Sequence, residues 1–225
     1  MQDKRESTNI GDKINDFVQR NRKSIFIILG IFVVLFVATV IFLSLNDYLQ
    51  NKAIAEVEEL NIRFIELTLA DDDASGDMDA LLADLNSFAK NKRGYAGGKA
   101  WSLIGQIQSE RKQWAQAEDA WRNAARVGSR TYLAPIAYFN AAAAAEEQGK
   151  LEQAIELLGN CIAHPFAFPA VPRAQFTIGR LNEQLNNIPA AMEAYRNVII
   201  NWPNWPDTTS WVNLAHSRIT ALETR

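Results

Sequence analysis

The chain has 225 residues, 48% of them apolar and 22% charged, which excludes wholesale disorder and allows one domain with an appendage. Its formal charge of −3 is unevenly placed: residues 1–23 carry six Lys/Arg against four Asp/Glu, whereas residues 46–225 carry 17 against 22. A mildly acidic main region excludes general nucleic-acid binding, a single cysteine excludes an internal disulfide, and two histidines leave too few ligands for a zinc module.

Residues 1–23 form a basic leader that precedes an uncharged run from Ser24 to Leu45, in which 17 of 22 residues are Ile, Val, Leu or Phe. As a helix the run spans about 33 Å, enough for a hydrocarbon core of about 30 Å. It is longer than the apolar region of a cleaved signal peptide, and Phe42-Leu43-Ser44-Leu45-Asn46 offers no small-x-small cleavage site. Arg20, Arg22 and Lys23 abut the run on one side and Asp47 follows on the other. The positive-inside rule then keeps the N-terminus cytoplasmic and places residues 46–225 on the exported side of an inner membrane. Ile10, Ile14, Phe17 and Val18 recur at helical spacing, so the leader either lies along the membrane surface or extends the anchor helix.

Residues 46–94 are expected to form a linker helix and a degenerate first repeat, with helices over about 47–69 and 77–90. Beyond them, over 95–225, the chain repeats itself every 37 residues. Ala117, Ala154 and Ala191 share one column; Trp121, Leu158 and Tyr195 another; Gly105, Ala142 and Gly179 a third. Within a unit, Trp101-x-x-Ile104-Gly105 followed by Ala117-x-x-x-Trp121 matches the two-helix tetratricopeptide pattern. The predicted fold is all-α: one transmembrane helix, then a solenoid of three to four helix pairs closed by a capping helix that starts at Asp207 or Thr208. The small residues at Gly105, Ala142 and Gly179 are expected to face the alanine column, with the bulky column filling the layer between successive pairs. The standard repeat has 34 residues, and the surplus here is expected at the joints between units.

No nucleophile elbow, Walker loop or metalloprotease motif is present, so the sequence predicts neither catalysis nor a small-molecule substrate, a cofactor or a metal site. Cys161 takes the column position of Ala124 and Val198, as a small core residue would. Asp71-x-Asp73-x-Ser75-Gly76-Asp77-Met78-Asp79 tracks the first nine positions of a calcium loop, but Leu82 stands where the bidentate carboxylate belongs, and an acidic turn accounts for it.

The better candidate is the concave side of the stack, which the second, fifth and ninth positions of each first helix line. Those are Lys99, Ser102 and Gln106; Ile136, Phe139 and Ala143; and Arg173, Phe176 and Arg180. Two aromatics beside three bases suit a peptide with apolar anchors and acidic groups, and an ordinary helix surface under the capping elements suits the pattern as well. Asn140 and Arg173 alone fit the carboxylate clamp of chaperone-binding repeats. Trp202, Trp205 and Trp211 either pack under the last helix or form an aromatic docking patch.

A basic leader (Phe17 to Lys23), one anchor, Tyr95-Ala96 before the first good repeat, and an exported repeat domain together resemble the YfgM-type ancillary subunit of the bacterial Sec translocon. That resemblance implies a non-catalytic protein beside the translocation channel. Its implied partners are the Sec translocon, a membrane-anchored prolyl isomerase and exported clients passing to periplasmic chaperones. The 37-residue period departs from the usual pattern. A structural scaffold for another envelope machine, for secretion, division or motility, is the alternative, and pairing with a second copy stays open.

Overall fold

A computed structural model describes residues 10–70, 75–166, 169–203 and 209–224. Among them every regular element is an α-helix, nine in all. They divide into two compact units, residues 1–52 and 53–225.

The first unit holds most of α1 (Ile10–Leu69). Ile14, Phe17 and Val18 belong to this same helix, so the leader's apolar residues extend the apolar helix. Phe26, Phe36 and Phe42 are 69–70% exposed, and no residue of the most apolar window is buried. A soluble core helix would bury such side chains. Among the described residues α1 is the one helix long and apolar enough to cross a membrane, with mean hydropathy 3.3 in that window.

The second unit contains the rest of α1, then α2 (Ser75–Asn91), α3 (Gly94–Glu110), α4 (Trp114–Val127), α5 (Leu133–Glu147), α6 (Leu151–Ile162), α7 (Val171–Gln184), α8 (Ile188–Asn201) and α9 (Thr209–Glu223). From α2 onward each helix packs on its neighbours in the chain, with added contacts of α3 on α5 and α7 on α9. That is the quasi-one-dimensional pattern of a solenoid. The core runs through it in three stretches: α1 to α3 around Val57, Phe64, Leu81 and Leu85; α4 to α7 around the alanine columns; and α7 to α9 around Tyr195.

The 37-residue register is anchored at the turns inside the pairs. The second helices start at Trp114, Leu151 and Ile188, and the turns before them carry one left-handed residue each: Lys112 at φ 56°, Gly149 at φ 73° and Asn186 at φ 56°. Each turn closes with the same backbone bond, from Gln113 to Gln108, Lys150 to Ala145 and Asn187 to Asn182, at 2.8–3.0 Å. Glycine enters this conformation freely and asparagine at little cost, whereas Lys112 is held there by those bonds. Register is lost at the joints between pairs, which run from Gly128 to Tyr132 and from Ala163 to Ala170 and differ in length.

The interior of each pair corrects the expectation that the bulky column fills only the layer between successive pairs. A Cβ on Gly105 would lie 2.7 Å from the Trp121 ring, and one on Gly179 would lie 2.5 Å from the Tyr195 ring. The aromatic therefore lies on the glycine inside its own pair, because only the missing Cβ lets the ring lie flat against the facing helix. In the middle pair, Ala142 and the smaller Leu158 share the corresponding core. Even the polar ends keep register: Trp121 Nε1 donates to Ser109 Oγ at 3.3 Å, and Tyr195 Oη donates to Glu183 Oε1 at 2.6 Å.

Polar contacts tie one pair to the next. Glu118 on α4 is buried and accepts from Gln148 Nε2 at 2.9 Å, Lys150 Nζ at 3.0 Å and Gln153 Nε2 at 2.5 Å. These donors offset the desolvation of its carboxylate, and Gln148 Nε2 also reaches the carbonyls of Trp114 and Ala144. Glu183 likewise binds Arg218 of α9, whose Ala215 and Leu222 close the end of the stack. The predicted cap of α9 at Asp207 or Thr208 lies outside the described residues.

Replacing Gly179 by Ala is expected to destabilise the detergent-solubilised protein by about 1–3 kcal/mol, lowering its Tm by several degrees. Circular dichroism melts decide this; an unchanged Tm would show that the Tyr195 ring can move aside.

Candidate partner-binding site

The face lined by α3, α5 and α7 carries two hollows that meet at the exposed Ala143. The first lies against α3, α4 and α5. Gln106, Glu110, Asn140 and Glu147 form its polar edge and Trp114 and Trp121 its aromatic side, around about 410 Å³. The second lies between α5 and α7, is lined by Phe139, Glu146, Arg173, Thr177 and Arg180, and encloses only about 90 Å³. Drug-sized ligands require about 300–1,000 Å³, so the second hollow admits a side chain and no more.

Of the predicted residues, Gln106 and Asn140 come together in the first hollow, and Phe139, Arg173 and Arg180 in the second. The Arg173 guanidinium lies over the Phe139 ring, 5.2 Å from its centroid, a cation–π contact. Lys99 and Ile136 are half-buried and line neither hollow, and Ser102 donates to the carbonyl of Gly98. Phe176 is drawn to the other side of α7, with its ring 5.1 Å from Tyr195 and 5.4 Å from Trp211. Trp211 thus packs into the seam under α9; Trp202 is half-buried, and Trp205 lies outside the described residues.

Arg180 was counted as an uncommitted base, and the structure corrects this. Its two terminal nitrogens bind both oxygens of Glu146 at 2.7 Å. These hydrogen bonds raise its pKa above that of free arginine, so the guanidinium stays charged across the physiological range. The face is consequently of mixed charge, with Arg173 and the Arg180–Glu146 pair at one end and Glu110 and Glu147 at the other.

The acids Glu110, Glu146 and Glu147 escaped the sequence reading, although a signal was present. Glu110 and Glu147 stand one period apart, each four residues beyond an inward-facing position, where helical geometry places a side chain on the same face.

Residues 71–74 of the acidic loop lie outside the described residues, and α2 already begins at Ser75, so its later positions are helical and do not wrap a cation. Asp79 pairs with Arg111 at 2.7 Å, and no cluster of three or more His, Cys, Asp or Glu gathers among the described residues. Cys161 is 1% exposed, and burial pushes its thiol up to about 12.

Comparison with known proteins agrees with the helix-pair architecture. Residues 102–160 and 173–204 match tetratricopeptide repeat families. A TPR repeat-containing protein of Treponema pallidum (strain Nichols) is 38% identical over 146 residues, which is 64% of this chain and 59% of the relative.

Because thiolate is the reactive form, native Cys161 at pH 8 is expected to react with iodoacetamide at least about 100-fold more slowly than in urea. Equal rates would contradict its burial. The molecule carries packed tetratricopeptide helix pairs behind one long apolar N-terminal helix.

Proposed function

We propose that this chain is a non-catalytic, membrane-anchored adaptor that binds partner proteins on the exported side of the inner membrane, as an accessory of the Sec translocon handing secreted proteins to periplasmic chaperones. The observation that carries the binding role is the pair of adjoining hollows on the α3, α5 and α7 face, where aromatic walls and charged groups converge on side-chain-sized spaces. Tetratricopeptide repeats as a fold serve many protein scaffolds, which supports protein partners over a small-molecule substrate. The exposed apolar run of α1 from Ser24 to Leu45, preceded by Arg20, Arg22 and Lys23, supports anchoring with the N-terminus in the cytoplasm. The translocon assignment rests on the resemblance of the leader, anchor and repeats. The relative's name speaks only of its repeats.

The test is photocrosslinking in intact cells from a photoreactive residue placed at Phe139. Adducts with channel subunits, a membrane prolyl isomerase and a spread of exported proteins are expected. A single dominant envelope component would instead make the protein a dedicated scaffold. In capture assays without the crosslinker, Phe139→Ala with Arg173→Gln is expected to reduce the partners retained while preserving helicity; Arg180→Glu is a poor choice, since it sets a second carboxylate against Glu146.

A further inference from the structure

The hollow against α3, α4 and α5 has a chemistry of its own. Its edge carries two exposed carboxylates, Glu110 and Glu147, and among the described residues its lining holds no Lys or Arg. None of the salt bridges between described residues reaches either acid; Glu110 only accepts a bond from Gln106 at 3.2 Å. Of the nearby bases, Arg122 and Lys150 are engaged by Glu118 and Arg111 by Asp79, while Lys112 stands exposed in the turn after Glu110. Its wall is aromatic: Trp114 is half-buried, while Trp121 is fixed by its bond to Ser109 and by contact with Gly105.

Carboxylates at the edge of an indole-walled hollow complement one kind of side chain: a long apolar stem ending in a cation. The stem lies along Trp114, the more open of the two indoles since Trp121 is buried against Gly105, and the carboxylates receive its N–H groups. Gln106 and Asn140 supply further acceptors beside it. Planar guanidinium, with five donors, suits this setting better than ammonium.

We infer that this hollow is the specificity subsite for an arginine of the partner's bound segment, so that the protein selects basic segments with apolar neighbours. This inference rests on the groove proposed above. It reverses the polarity that the bases of that face suggested from sequence, because Arg180 is already paired and Arg173 lies on Phe139.

The test titrates the detergent-solubilised full chain against fluorescein-labelled peptides of one Ala/Leu/Gln host carrying Arg, Gln or Glu guests, read by anisotropy. The Arg peptide is expected to bind at least about tenfold more tightly than the Gln peptide, with the Glu peptide weakest. Glu110→Gln with Glu147→Gln should bring the Arg peptide down to the Gln level and leave the Gln peptide unchanged. Equal affinities of the Arg and Gln peptides overturn the inference, as does an Arg preference that survives the double substitution. If in those cases Phe139→Ala still weakens binding, the groove stands and only its arginine subsite falls. Absence of binding by all three peptides would remove both.

Discussion

The repeat domain depends on one steric constraint: an aromatic ring on the second helix of a pair lies where the first helix has no side chain. Gly105 receives Trp121 and Gly179 receives Tyr195, and a Cβ at either glycine would intrude on the ring by about 1 Å relative to ordinary contact. The ring fixes the distance between the helices and, through its hydrogen bond to Ser109 or Glu183, also fixes their axial register. Close packing transmits small volume changes, so a glycine here determines how the pair is built. The left-handed residues Lys112, Gly149 and Asn186 then repeat the same hairpin at the same spacing.

Seen this way, the legibility of the sequence has a physical basis. The all-α fold, the helix pairs and the turns could be read because each rests on a local rule repeated every 37 residues: a small column, a bulky column and a helix-breaking turn. Which column meets which could not, since periodicity locates residues on a helix face but does not say what faces them. For that reason the bulky column was expected between successive pairs, whereas it lies on the glycine inside its own pair. Phe176 shows the same limit: its register position matches that of Phe139, but the large partners Tyr195 and Trp211 draw its ring to the other side of α7.

Charge was the least legible property of the candidate site. A base counted along one helix says nothing of the acid on the next, and Glu146 lies 34 residues from the Arg180 it neutralises. That separation, close to one repeat, recurs in the contacts of Glu118 with Gln148, Lys150 and Gln153 and of Glu183 with Arg218, so the seams between pairs are stitched by polar groups one unit apart. With Arg180 removed from the tally, the balance of the face shifts toward Glu110 and Glu147. The long apolar helix and the repeats are then two separable devices, one suited to a bilayer and the other to protein segments.

The ring-on-glycine constraint is tested most directly by transplanting it. The middle pair carries Ala142 and Leu158 where its neighbours carry glycine and an aromatic. Thermal melts of Leu158→Trp alone and of Leu158→Trp with Ala142→Gly provide the comparison. The account predicts that the single variant melts several degrees lower and that the added glycine restores most of the loss, an interaction between the two positions of about 1–3 kcal/mol. Additive effects, with the glycine giving no rescue, would contradict it.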